Sequence, residues 1–161
     1  MNKLKVAVIG AGAMGKSHAR IYSDMANAEL MAVCDKDEKT ANETAKKYNS
    51  SPFTDYKKID KSLDAVSVCV PTKLHKDVAL FFIKKGVNVI VEKPIAGNME
   101  EAKILIGAAK KNNVKLMVGH VERFNPVVTE IKKRLENNEL GKIYSISTFR
   151  FSPFPHRIID I

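Results

Sequence analysis

Residues 4–9, Leu-Lys-Val-Ala-Val-Ile, run straight into Gly10-Ala11-Gly12-Ala13-Met14-Gly15, and a helical pattern follows at once. A short apolar run rich in β-branched residues and closed by a glycine turn predicts a buried strand feeding a helix. The three glycines have separate tasks: Gly10 allows the tight turn, Gly12 lets the backbone approach a pyrophosphate, and Gly15 lets the helix pack closely on the strand. The amides of Ala13 and Met14 then lie at a helix N-terminus, where unpaired N–H groups and the positive end of the dipole face an anion. Eight glycines in 161 residues will sometimes fall in this spacing by accident. A strand before and a helix after make it a nucleotide-binding signature.

The rest of the chain repeats this alternation. Leu30 to Cys34 predicts a second buried strand ending in Asp35. That acid stands twenty residues beyond Gly15, where such folds place the carboxylate that holds the adenosine ribose. It could equally cap the next helix, a role for which Asp37 competes. A carboxylate there repels a 2′-phosphate and favours NAD over NADP, although Lys36 beside it works the other way. Further strands are expected at 51–54, 65–70, 87–91 and 115–119, with helices between them. The helix after Gly15 should bury Met14, His18, Ile21, Tyr22 and Met25. The one after Pro71-Thr72 should bury His75, Val78, Ala79, Phe82 and Ile83, and the one before residue 115 should bury Ala102, Leu105, Ile106 and Ala109. His18 reads as packing. His75, just past a strand end, reads either as packing or as a ligand contact. Six strands alternating with helices predict a doubly wound parallel α/β sheet closing near residue 119.

Beyond it, a helix with Val128, Ile131 and Leu135 inward and a stop at Gly141 is expected, then a long strand from Lys142 to Phe151. Ser152 to Arg157 should break that strand before Ile158-Ile159-Asp160-Ile161. One strand without a partner is not stable alone. The expectation is therefore a second, α+β domain beginning near residue 120, of which this chain holds the opening part.

Composition excludes several classes. No apolar run approaches the ~20 residues that cross a bilayer, and nothing resembles a signal peptide, so no membrane association and a cytoplasmic setting are expected. Cys34 and Cys69 each lie in an apolar strand and read as buried free thiols, without metal-ligand spacing. A net charge of +9 raises nucleic-acid binding. However, residues 1–50 and 51–100 each carry 8 basic and 6 acidic residues, and 101–161 carry 11 and 6. Only Lys132-Lys133-Arg134 forms a compact run, and those three diverge around a helix. No nucleic-acid partner is expected.

With Gly10 to Gly15, Pro71-Thr72-Lys73-Leu74-His75, Glu92-Lys93-Pro94 and Gly119-His120 in place, the sequence resembles the glucose-fructose oxidoreductase/inositol dehydrogenase/MocA (Gfo/Idh/MocA) family over essentially its whole length. Glu-Lys-Pro at the end of the fifth strand is the specific part. The resemblance implies a Rossmann domain over 1–119 that binds NAD through Gly10, Gly12, Ala13, Met14, Gly15, Asp35, Pro71, Thr72, His75, Glu92, Lys93 and Pro94. It implies a hydride transfer between NAD and a hydroxyl carbon of a sugar, cyclitol or related compound. Lys93 would lie beside the nicotinamide and stabilise the developing alkoxide; the alternative for it is a solvated lysine at a strand end. The full-length protein would be about twice this long and a homo-oligomer. The family's second signature, an acid followed by a histidine, should fall after Ile161, so the 161 residues alone should bind cofactor and turn over little. His120 and Arg123, at the domain junction, could hold the nicotinamide ribose or an anionic substrate, or, for Arg123, brace the domains. The stretch 119–126 with Phe154-Pro155 looks most like the branch acting on UDP-N-acetylglucosamine and related nucleotide sugars. The competing reading is a non-catalytic module that senses NAD.

Overall fold

The computed structural model describes residues 3–59, 62–149 and 151. The chain divides into two compact units, Met1–Gly119 and His120–Ile161.

The first unit alternates strands and helices: β1 (Leu4–Ile9), α1 (Ala13–Asp24), β2 (Ala28–Cys34), α2 (Glu38–Lys47), β3 (Ser51–Phe53), β4 (Ala65–Val68), α3 (His75–Lys84), β5 (Asn88–Val91), α4 (Met99–Lys111) and β6 (Leu116–Val118). The six strands form one sheet in the order β3-β2-β1-β4-β5-β6, and every neighbouring pair is parallel. All six strands therefore end on the same edge. The order reverses between β1 and β4, where open α/β sheets leave a crevice for ligands.

Alternation along β1 decides which layer each side chain joins. Val6 and Val8 pack with Ala19 of α1 and Ala45 of α2, together with Leu30 and Val33. Ala7 and Ile9 pack on the other face with Val78, Ala79, Phe82 and Ile83 of α3 and Leu105 of α4. The doubly wound arrangement follows from this two-sided burial. Leu105 is fully buried at the centre of the second layer. Leu105→Ala is expected to cost about 2–5 kcal/mol, read as a lower urea midpoint at unchanged slope.

Helix starts carry their own caps. Asp37 accepts from the Thr40 amide at 2.6 Å, and Asn98 from the Glu101 amide at 2.9 Å. The Thr40 amide holds the Asp37 carboxyl below the usual carboxylate range. Because Asp37 caps α2, Asp35 is released from that duty.

Two helix faces of the first unit differ from expectation. In α1 the buried residues are Gly15 and Ala19, while Met14, Ile21 and Met25 are exposed. The axis comes so close to β1 that only small residues fit between them, which turns the larger apolar side chains outward. In α4, Ala102, Leu105 and Ala109 are buried, but Ile106 is exposed and lines an open apolar groove with Ile95, Val114, Leu116 and Val118.

The second unit contains α5 (Pro126–Glu136), capped by Asn125, whose side chain accepts from the Val127 amide. Its expected inward residues Val128 and Ile131 are exposed, and no residue of the helix is buried. The long strand expected over 142–151 does not form among the described residues, which are irregular from 142 to 149. A strand needs a neighbour to accept its backbone hydrogen bonds. Ser152 to Arg157 and Ile158 to Ile161 lie outside the described residues.

Among the described residues no helix is long and apolar enough to cross a membrane, and no group of three or more His, Cys, Asp or Glu could hold a metal ion. Cys34 is buried, Cys69 half-buried, and both are free. Burial pushes both thiols up to about 12.

Candidate functional site: a nucleotide crevice on the sheet edge

The glycine turn is wedged into the edge at the point where strand order reverses. Gly10 takes φ +90°, and its amide donates to the Cys34 carbonyl at the end of β2 at 2.7 Å. A Cβ on Gly10 would sit 2.6 Å from the Cys69 carbonyl oxygen, so both the conformation and the space require glycine. A Cβ on Gly15 would collide with the Gly10 carbonyl. Gly12 is different: a Cβ there would meet nothing within 4 Å. It is the N-cap of α1 yet supplies no side-chain cap, and no acidic residue lies in the first turn. The Lys16 amide, bonded to the Gly12 carbonyl at 2.9 Å, closes the first helical turn. The preceding amides, those of Ala13 and Met14 included, lie at the open end of the helix. Open space above Gly12 and an uncapped positive helix end fit a pyrophosphate.

Asp35, half-buried at the end of β2, is bound into this turn. One carboxylate oxygen accepts from the Ala11 amide at 2.7 Å and the other from the Asp37 amide at 3.0 Å. Each oxygen keeps a second acceptor site for a diol. Asp35 thus ties the glycine turn to β2.

Beyond β4, Pro71 is exposed and Thr72 half-buried, and Thr72–Leu74 forms one 3-10 turn leading into α3. His75 is buried, 1% exposed. Its two ring nitrogens lie 2.9 Å from the Pro94 carbonyl oxygen and 2.8 Å from the Val70 carbonyl oxygen. The burial expected of His75 as a packing residue is observed. It clips the segment after β4 to the segment after β5.

At the end of β5, Lys93 and Pro94 are exposed on the sheet edge, joined by a cis peptide bond. Glu92 points inward instead and is 6% exposed. Its carboxylate lies 3.1 Å from His18 Nε2 and accepts from the Lys93 amide at 3.2 Å. Glu92 is therefore engaged inside the fold, whereas Lys93 and Pro94 face outward. The other nitrogen of His18 lies 2.9 Å from Ser67 Oγ, and the Tyr22 hydroxyl 2.8 Å from the same oxygen. Burial pushes the Tyr22 phenol above its ordinary range. These groups were not among the sequence candidates for the site. The available signals were His18 and Tyr22 one helical turn apart and Ser67, a lone hydroxyl inside the apolar run 65–70.

Gly10, Asp35, Pro71 and Lys93 therefore follow β1, β2, β4 and β5 along a single edge. His120 and Arg123 belong to the second unit, where His120 is exposed and its carbonyl accepts from the Arg123 amide at 3.0 Å.

The family described as "Oxidoreductase family, NAD-binding Rossmann fold", Gfo/Idh/MocA, matches residues 4–120. UDP-N-acetylglucosamine 3-dehydrogenase of Acidithiobacillus ferrooxidans is 31% identical over 161 residues, 100% of this chain and 50% of that protein. Glucose-6-phosphate 3-dehydrogenase of Bacillus subtilis is 33% identical over 142 residues, 88% of this chain and 41% of that protein. The structure of the WlbA dehydrogenase from Bordetella pertussis, in complex with NADH and UDP-GlcNAcA, superimposes with a TM-score of 0.84 at 26% identity, over 89% of this chain and 45% of that one. The chain thus spans about half the length of the relatives it matches. A glycine turn open over Gly12, an acid after β2, a lysine after β5 and a family match running from the first strand to His120 agree with one another: the chain belongs to the Gfo/Idh/MocA oxidoreductase family and carries its NAD-binding Rossmann fold.

Proposed function

We propose that residues 1–119 are the cofactor-binding domain of a dehydrogenase that uses NAD to oxidise or reduce a hydroxyl carbon of a sugar. Residues 120–161 open its substrate and oligomerisation domain. The observation that carries this reading is the sheet edge, with an uncapped α1 N-terminus at one place and an exposed lysine two strands away on the same crevice. The Acidithiobacillus relative, matched over 100% of this chain, and the UDP-GlcNAcA complex of the Bordetella structure support a nucleotide sugar as the substrate class. His120 and Arg123 are then the first groups of the second domain available to an anionic substrate. A homo-oligomer in the cytoplasm completes the proposal; the free thiols Cys34 and Cys69 suit a reducing compartment.

When bound, NAD supplies the hydride acceptor or donor. The chain's own residues do the rest. The amides at the start of α1 take the pyrophosphate, and Asp35 accepts hydrogen bonds from the adenosine ribose while keeping the glycine turn in place. Lys93 stabilises the negative charge that grows on the substrate oxygen and can pass on its proton.

Titration of the 161-residue chain with NADH and NADPH, followed by nucleotide fluorescence, tests the reading. NADH is expected to bind, and NADPH more weakly. Asp35→Asn keeps an oxygen for the Ala11 amide but loses the charge. It should weaken NADH by roughly 10–100-fold, the worth of charge-assisted hydrogen bonds of about 1.5–3 kcal/mol, and narrow the gap to NADPH. Failure of both nucleotides to bind at millimolar concentration would remove the proposal.

A further inference from the structure

The hydrogen bonds around Glu92 can be followed donor by donor. Glu92 is a carboxylate almost sealed from water, a placement that costs several kcal/mol unless both oxygens find donors. The second oxygen has the Lys93 amide. The first faces His18 Nε2 at 3.1 Å, so that nitrogen must carry the proton. In a neutral ring His18 Nδ1 is then an acceptor and takes the Ser67 hydroxyl proton across 2.9 Å. Ser67 Oγ, having given its proton away, accepts from the Tyr22 hydroxyl at 2.8 Å. Every donor is used once and every hydrogen bond points toward Glu92. Ser67, His18 and Glu92 have the composition of a hydrolytic triad, but Ser67 is 0% exposed within β4 and its oxygen meets no substrate. The end of β6 closes the last side: a Cβ on Gly119 would stand 2.7 Å from the Glu92 carboxylate.

We infer that His18 is a positioning residue: with Ser67 and Tyr22 behind it, it fixes the Glu92 carboxylate, and Glu92 fixes the backbone from which Lys93 reaches the reacting atoms. This rests on the proposed role of Lys93. The chain of contacts joins α1, β4 and the end of β5, so the helix that receives the pyrophosphate and the residue that serves the chemistry share one rigid frame. A lysine displaced by about 1 Å loses up to ~10²-fold in rate, whereas the nucleotide contacts of the α1 amides are untouched.

The test uses the full-length enzyme. His18→Phe removes both ring nitrogens and is expected to lower kcat by roughly 10–100-fold while the Kd for NADH changes less than about twofold. His18→Gln, which can donate to Glu92 and accept from Ser67, should recover most of the loss. Wild-type kcat in His18→Phe, alongside an inactive Lys93→Ala control, would overturn the inference and leave the function standing. Full activity in Lys93→Ala would instead overturn the catalytic role of Lys93 on which this inference rests, whereas the function itself falls only if neither nucleotide binds. Should His18→Phe not fold, nitrogen-15 NMR of the unsubstituted protein decides. A proton on His18 Nε2 is expected, and a proton on Nδ1 alone would contradict the donor order.

Discussion

Alanine at Gly15 is expected to destabilise the first unit by about 3 kcal/mol, which in a domain of this size lowers the melting temperature by roughly 10–20 °C. The methyl group would collide with the Gly10 carbonyl. That is backbone, and it cannot swing aside as a side-chain tip can. Gly10 cannot yield either, because it is held at φ +90° with the Cys69 carbonyl pressed against the place of its own Cβ. Relief requires α1 to move off β1, which opens the packing around Ala19, Val6 and Val8 and shifts the amides at the helix start. Nucleotide binding should therefore fall with stability. Gly12→Ala is the matching control. A methyl there meets no protein atom within 4 Å, so its stability cost should be about 1 kcal/mol or less, yet the methyl enters the space left for the pyrophosphate and should weaken NADH at least tenfold. Thermal melts and NADH titrations of the two variants separate the effects. A Gly15→Ala protein that melts with the wild type would contradict the packing described here.

In the full-length enzyme, Lys93→Ala is expected to reduce kcat about 10³-fold, within the range for loss of one electrostatic or proton-transferring group. The Kd for NADH should change by less than a few-fold, because the proposed pyrophosphate and ribose contacts lie after β1 and β2. Lys93→Arg distinguishes two parts of the role. A guanidinium keeps the positive charge but does not release a proton near neutral pH. Partial activity in the arginine variant would assign most of the effect to charge, and activity as low as in the alanine variant would assign it to the proton. A Lys93→Ala enzyme whose NADH affinity collapses while kcat survives would make the lysine a binding residue only.

The sequence carried the fold because its constraints are local. A strand of six residues, a glycine turn and a helix start within fifteen positions leave few arrangements, and the later apolar runs repeat the same unit. The α3 face was readable down to the residue, since His75, Val78, Ala79, Phe82 and Ile83 are all buried as spaced. The α1 face was not, because the residues it buries are Gly15 and Ala19, which contribute almost nothing to an apolar pattern. The strand at 142–151 has strand-like residues, but pairing is a property of two segments and cannot be read from one. The Tyr22–Ser67–His18–Glu92 contacts were hidden for the same reason: they span |i−j| of 45 to 74. Asp35 was visible as an acid at the right distance. Its bond to the Ala11 amide was not, although the neighbouring Asp37 cap indicated that the carboxylate was available.

The groups proposed for the nucleotide gather along the edge where the strands finish, at strand ends and at the helix starts that follow them, and the sheet that presents them is complete by Val118. On the function proposed above, joining residues 1–119 to the carboxy-terminal half of a different relative is expected to give a chimera that takes its coenzyme preference from one parent and its choice of sugar from the other.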